Sequence, residues 1–216
     1  MIARRAPKLL AFLTVATLGA SWLSAGTGFS ATRAPGCASV PRPRSATRTA
    51  SKPTRRLPSS KTYYVTLWTN CGNFTVKVDP RSSPNAAASF VRLAQRGFYK
   101  KTAIFQIKRG AFFVGGDPTG TGRGGPGYTT FDRVPSGSTY PYGAVVMERP
   151  ATTPAGTAGS QFLVVTAKDA NLSPVYAVVG SVHVGNGVID RIALHGNSQQ
   201  KPSIPIVVEK ATVSTQ

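Results

Sequence analysis

From Tyr63 onward the chain alternates apolar and polar residues in short blocks separated by Gly, Pro and Asn. Tyr63–Thr69 reads as a strand, Asn70-Cys71-Gly72-Asn73 as a hairpin turn, and Phe74–Asp79 as a second, half-buried strand. Ser83-Pro84 opens a helix, with Ser at the N-cap and Pro at the first helical position. Ala87, Phe90, Val91 and Leu93 give that helix one apolar face, and Gly97 ends it. Further strands are predicted over Ala103–Ile107, Ala111–Val114, Gly143–Met147, Phe162–Thr166, Val175–Val182 and Ile204–Val213, with a second helix near Gly187–Ala193. Many short strands, two helices and no βα alternation predict a mainly β fold: an antiparallel barrel or sandwich.

The first 61 residues have a different texture. Arg4, Arg5 and Lys8 precede an apolar run, Leu9–Leu23, and small residues follow. This is the pattern of a signal peptide; the run is shorter than the ~20 residues that span a bilayer, and a retained N-terminal anchor is the alternative. Residues 1–25 are therefore expected to direct export to the cell envelope. Residues 26–61 are rich in Pro, Ser, Thr, Ala and Arg and poor in large apolar side chains. Such a composition buries too little surface to offset ordering entropy, so a disordered basic linker is expected, with the folded domain over 62–216.

Charge sharpens that division. The chain of 216 residues carries 26 Lys and Arg against 7 Asp and Glu. Eleven of the basic residues and none of the acids fall in residues 1–61. No aromatic residue interleaves the basic ones of 33–61, so specific nucleic-acid binding is not expected; contact with an anionic membrane surface is. Cys37 and Cys71 can pair outside the cytoplasm or stay free, and Gly36-Cys37 offers a lipidation site; the sequence leaves these open. Two His and two Cys without paired spacing do not resemble a metal site, and no cofactor is expected.

Three segments resemble bacterial cyclophilins, in the same order: Gly115-Gly116-Asp117-Pro118-Thr119-Gly120-Thr121-Gly122-Arg123-Gly124-Gly125-Pro126-Gly127-Tyr128, then Gly159-Ser160-Gln161-Phe162-Leu163-Val164, then Leu172-Ser173-Pro174-Val175-Tyr176-Ala177-Val178-Val179-Gly180. The resemblance covers about Tyr63 to Val213. It implies an eight-stranded antiparallel β-barrel capped by two α-helices, with an outer groove that takes proline-containing segments of exported proteins and isomerises the bond before proline. It also implies a cofactor-free enzyme, expected to act as a monomer.

The same resemblance assigns the site and marks its departures. Family members usually carry Phe-His-Arg, the arginine donating to the prolyl nitrogen; here those positions are Ile104, Phe105 and Gln106. A neutral amide still donates, but charged donors bond roughly twice as strongly, so reduced activity is expected. Ala111 replaces the usual pocket Phe, Phe112 is the next hydrophobic wall, Val114 replaces a Gln, Leu163 an aromatic residue, and Asn171 a Trp found in some members. Gln161, Leu172 and Met147 are retained, Tyr176 stands where some members have His, and Glu148-Arg149-Pro150 replaces a small-Asn-small stretch. Gln106 and Gln161 are the expected catalytic pair; the others are expected to bind substrate. A register shift with a bulge could bring Lys108 or Arg109 into the place of the lost arginine. The rival readings are a peptide-binding module without catalysis and an envelope scaffold.

Overall fold

The computed structural model describes residues 36–216 together with Ile2. The expected signal or anchor, residues 1–25, lies outside the described residues except for Ile2, as does the linker as far as residue 35. Among the described residues no helix is long and apolar enough to cross a membrane.

The domain is a curled antiparallel sheet of nine strands with two helices. In chain order the elements are β1 (Tyr63–Thr69), β2 (Gly72–Val78), α1 (Pro84–Gln95), β3 (Thr102–Ala103), β4 (Gln106–Lys108), β5 (Phe112–Gly115), β6 (Thr130–Phe131), β7 (Ala144–Met147), β8 (Thr157–Ala158), β9 (Phe162–Val165), β10 (Ala177–Val184), α2 (Asn186–Ala193) and β11 (Val207–Thr215). The sheet runs β3-β11-β1-β2-β10-β7-β9-β5-β4, and β6 pairs with β8 apart from it.

The first and last strands of that order are neighbours in the chain. Ile104 N still donates to Ile206 O on the β11 side, while Phe105 N donates to Val114 O on the β5 side. β3 and β4 are thus one strand that changes partner at Ile104–Phe105. Taken as one, they leave eight strands and bring the ends of the sheet together, which removes the exposed edges an open sheet would have. The apolar run Ala103–Ile107 does not reveal this break, because nothing local causes it.

Burial follows strand parity. Val65, Leu67, Phe74, Val76 and Val78 fill the interior with Phe90, Leu93, Tyr99, Ile107, Phe113 and Phe162. Strands β7 and β9 are buried on both faces: Val145, Met147, Phe162 and Val164 point into this core, while Ala144, Val146, Leu163 and Val165 point into a second cluster outside the sheet.

Helix α1 begins where Ser83-Pro84 predicts, yet Ser83 makes no side-chain capping bond. The cap comes from far along the chain: the Asp132 carboxylate accepts from Asn85 N at 3.0 Å and Ala86 N at 2.8 Å. Asp132 is 5% exposed, so these bonds are shielded from water. Replacing Asp132 by Ala is expected to cost about 2 kcal/mol, read as a fall in the thermal midpoint of roughly 5 °C.

The free-tether reading of residues 26–61 needs correction over the described part. Residues 36–57 form no regular strand or helix, but they are strapped to the domain. Cys37 is disulfide-bonded to Cys71, so its sulfur is not available for lipid. Ala38 N donates to Asn70 O, Ala46 N to Pro118 O, and Ala50 N to Pro126 O. The Arg48 guanidinium donates to Phe98 O and Lys100 O. Cys37, Ala50 and Leu57 pack on the inner core. Composition weighs only side-chain burial, whereas a crosslink and backbone hydrogen bonds hold this segment.

Candidate functional site

An open groove of about 1130 Å³ lies along the outer face. It is lined by the Gly-rich loop within residues 119–129 and by Thr47, Arg48 and Thr49 of the strap. Phe105, Gln106, Glu148, Arg149, Gln161, Tyr176 and the Gln199–Lys201 loop line it as well, Gln161 being bonded to the loop at Gly124.

The loop is shaped by one buried carboxylate. Asp117 accepts from Thr119 N, Thr119 Oγ1, Thr121 N and Gly122 N at 2.6–3.0 Å. Burial pushes its pKa up, but these donors more than offset that, and the carboxyl titrates below its ordinary value. Gly124 fits beside it because it has no side chain: a Cβ there would lie 2.0 Å from Asp117 Oδ1. Gln161 Nε2 donates to Gly124 O at 2.8 Å, tying the loop to the sheet.

The groove adjoins the outer apolar cluster. Ala111, Val114, Tyr140, Val146 and Leu163 form its floor, and the half-buried Phe105, Phe112, Leu172 and Tyr176 pack against it. Those four are partly exposed and so offer accessible apolar surface. Phe105 and Tyr176 belong to both cluster and groove.

A model of the family described as cyclophilin type peptidyl-prolyl cis-trans isomerase/CLD matches residues 64–213. The chain belongs to that family. Peptidyl-prolyl cis-trans isomerase-like 1 of Neurospora crassa is 33% identical over 153 residues, covering 69% of this chain and 93% of that protein. Peptidyl-prolyl cis-trans isomerase A of Mycobacterium tuberculosis is 31% identical over 171 residues, covering 69% of this chain and 91% of its own. A Cryptosporidium parvum cyclophilin type peptidyl-prolyl cis-trans isomerase, solved in the presence of the dipeptide Ala-Pro, superposes with a TM-score of 0.64 at 26% identity and covers 70% of this chain and 98% of its own. Fungal, bacterial and protozoan members all align, so no bacterial subtype is singled out.

In this cyclophilin the expected site residues separate into three groups. Phe105, Gln106, Gln161 and Tyr176 line the groove. Ala111, Phe112, Val114, Leu163 and Leu172 lie in the adjoining apolar cluster. Met147 and Asn171 join neither: Met147 is fully buried in the inner core, opposite Phe162 and Ala177, and Asn171 is an exposed turn residue at φ +47°. The assignment of Met147 to substrate binding is therefore corrected; strand parity sends its neighbour Glu148 to the groove instead.

Gln106 is half-buried, and its Nε2 donates to Gln200 Oε1 at 2.9 Å. The loop holding Gln200 is added to the edge of β4, where Ile107 N donates to Gln200 O. Strand β4 pairs with β5 in unbroken register, Gln106 opposite Val114 and Lys108 opposite Phe112. No bulge brings Lys108 or Arg109 forward, and neither lines the groove. Among the groove residues, Lys201 is the cation next to the Gln199–Gln200 end.

Tyr140 was not singled out from the sequence. Its hydroxyl accepts from Tyr176 N at 2.9 Å and donates to Tyr176 O at 3.0 Å, and the two rings meet edge to face at 5.9 Å. Burial raises the pKa of both phenols. Tyr140 fixes the backbone from which Tyr176 enters the groove. The strap residues Thr47–Thr49 and the Gln199–Lys201 loop were also missed, since neither belongs to a segment that carries the family resemblance.

Proposed function

We propose that this cyclophilin isomerises X–Pro bonds in exported proteins, more slowly than members with an arginine at position 106. The observation that carries the reading is an open groove bordered by an apolar patch of Phe105, Phe112, Leu172 and Tyr176. Rotation about X–Pro meets a barrier near ~20 kcal/mol, because the prolyl nitrogen shares its lone pair with the carbonyl. A catalyst must favour the twisted amide over both planar forms. Here the apolar patch grips the ring, the Gly-rich loop and Gln161 hold flanking backbone, and Gln106 supplies a neutral donor to the nitrogen. That the Cryptosporidium parvum relative was solved in the presence of Ala-Pro supports a proline ligand for this groove. Export is supported by the Cys37–Cys71 disulfide, which oxidising compartments preserve. The basic segment before the domain is suited to an anionic membrane surface.

The test is isomerisation of a proline tetrapeptide by the whole chain, with Phe112→Ser as control. We expect measurable acceleration, with kcat/KM lowered about tenfold in the variant through loss of the ring contact. A second reading, peptide capture without catalysis, is favoured by the bond that holds the Gln106 amide on Gln200. Peptide binding with no acceleration would select that reading.

A further inference from the structure

The groove contains four cations and one acid. Arg48, Arg123, Arg149, Lys201 and Glu148 all line it. Arg48 is committed to the carbonyls of Phe98 and Lys100. Arg149, next in sequence to the acid, donates through its guanidinium to Pro150 O, Ala151 O and Thr153 O. Arg123 and Lys201 are exposed at the rim. Among the described residues the one ion pair is Lys101–Glu209, elsewhere on the surface.

Among the described residues Glu148 is therefore an acid without an ion-pair partner, and it is only partly exposed. Its backbone N donates to Gln161 O at 2.8 Å, which fixes it beside the groove-lining glutamine. Burial raises its pKa, offset in part by the backbone N–H and charge of Arg149. It lines the groove together with Tyr176, which also packs on the outer apolar cluster, so it lies near the junction of polar groove and apolar patch. Holding a carboxylate partly out of water without a counterion is costly. The charge of Arg149 eases that cost in part, but its guanidinium is turned to three loop carbonyls and forms no ion pair with the acid. A cation supplied by the ligand would complete the site.

We propose that Glu148 is a specificity residue: it selects proline segments that carry a Lys or Arg side chain close to the proline. This rests on the groove being the peptide site. The exposed rim cations respond to a peptide's total charge and are screened by salt, whereas Glu148 responds to where the charge sits.

The experiment separates these. A set of hexapeptides of one composition, each with one Pro and one Lys among Ala, moves the Lys from three residues before the proline to two after. Net charge is constant. Affinity by fluorescence anisotropy and isomerisation by the coupled assay are measured with the whole chain and with Glu148→Gln, whose thermal midpoint checks its fold. We expect one Lys position to bind about tenfold more tightly than the rest, and Glu148→Gln to flatten the series. Equal affinity at every position, with peptides still bound, overturns the inference and leaves the peptide groove standing. A preference that persists in Glu148→Gln also overturns it. Failure of every peptide to bind removes the groove reading and this inference together.

Discussion

Gln106→Arg is expected to raise kcat/KM on a short proline peptide by roughly tenfold or more, with little change in peptide affinity. The reacting amide needs a donor that grows more favourable as its nitrogen loses conjugation. A guanidinium supplies permanent charge there, and single preorganised donors of this type are worth about 10²-fold or more in other enzymes. Gln106 is half-exposed at the groove wall, so the longer side chain has room to enter. Its present partner, Gln200 Oε1 at 2.9 Å, can still accept one guanidinium N–H and orient it. Gln200→Ala in the arginine background should then give back part of the gain by freeing the side chain. An unchanged rate with unchanged peptide affinity would sink the isomerase reading and favour peptide capture.

Cys71→Ser is expected to lower stability by about 4 kcal/mol and the thermal midpoint by about 10 °C. The crosslink spans 34 residues of sequence, and a closed loop of that length removes substantial entropy from the unfolded chain. The loss should be local first. Without the disulfide, the strap is held by Arg48, by backbone hydrogen bonds to Asn70, Pro118 and Pro126, and by the packing of Ala50 and Leu57. Trypsin should then cut after Arg44 and Arg48 well before it reaches the barrel, because regions with few buried contacts open first. Equal melting and equal proteolysis with and without reductant would show that the strap is not held this way.

Much of the fold is legible along the chain because adjacent strands pair there. Val65, Leu67, Phe74, Val76 and Val78 alternate with polar residues, and all five point inward in β1 and β2. The four-residue apolar runs in β7 and β9 hide their parity, because both faces are covered. Only the register, Val145 opposite Val164 and Met147 opposite Phe162, assigns Met147 to the core. The start of α1 is legible in Ser83-Pro84, but its cap is not, since Asp132 arrives from 46 residues beyond Ala86. The groove follows the same rule. Gln106, Gln161 and Tyr176 come to light by family resemblance, whereas Tyr140, the strap and the Gln199–Lys201 loop reach the site through contacts distant in sequence.

By itself the amino-acid order determined the strand and helix periods, the family, and the absence of an arginine where the reacting bond would lie. These are properties of residue identity and of nearest-neighbour geometry. Tertiary structure alone decided that one strand turns between two partners to close the sheet, that a basic segment is fastened across the loop, and that the carboxylate of Glu148 lines the groove. Each of these depends on which distant backbone groups and charges find each other once the interior is filled, and no local pattern records such a meeting.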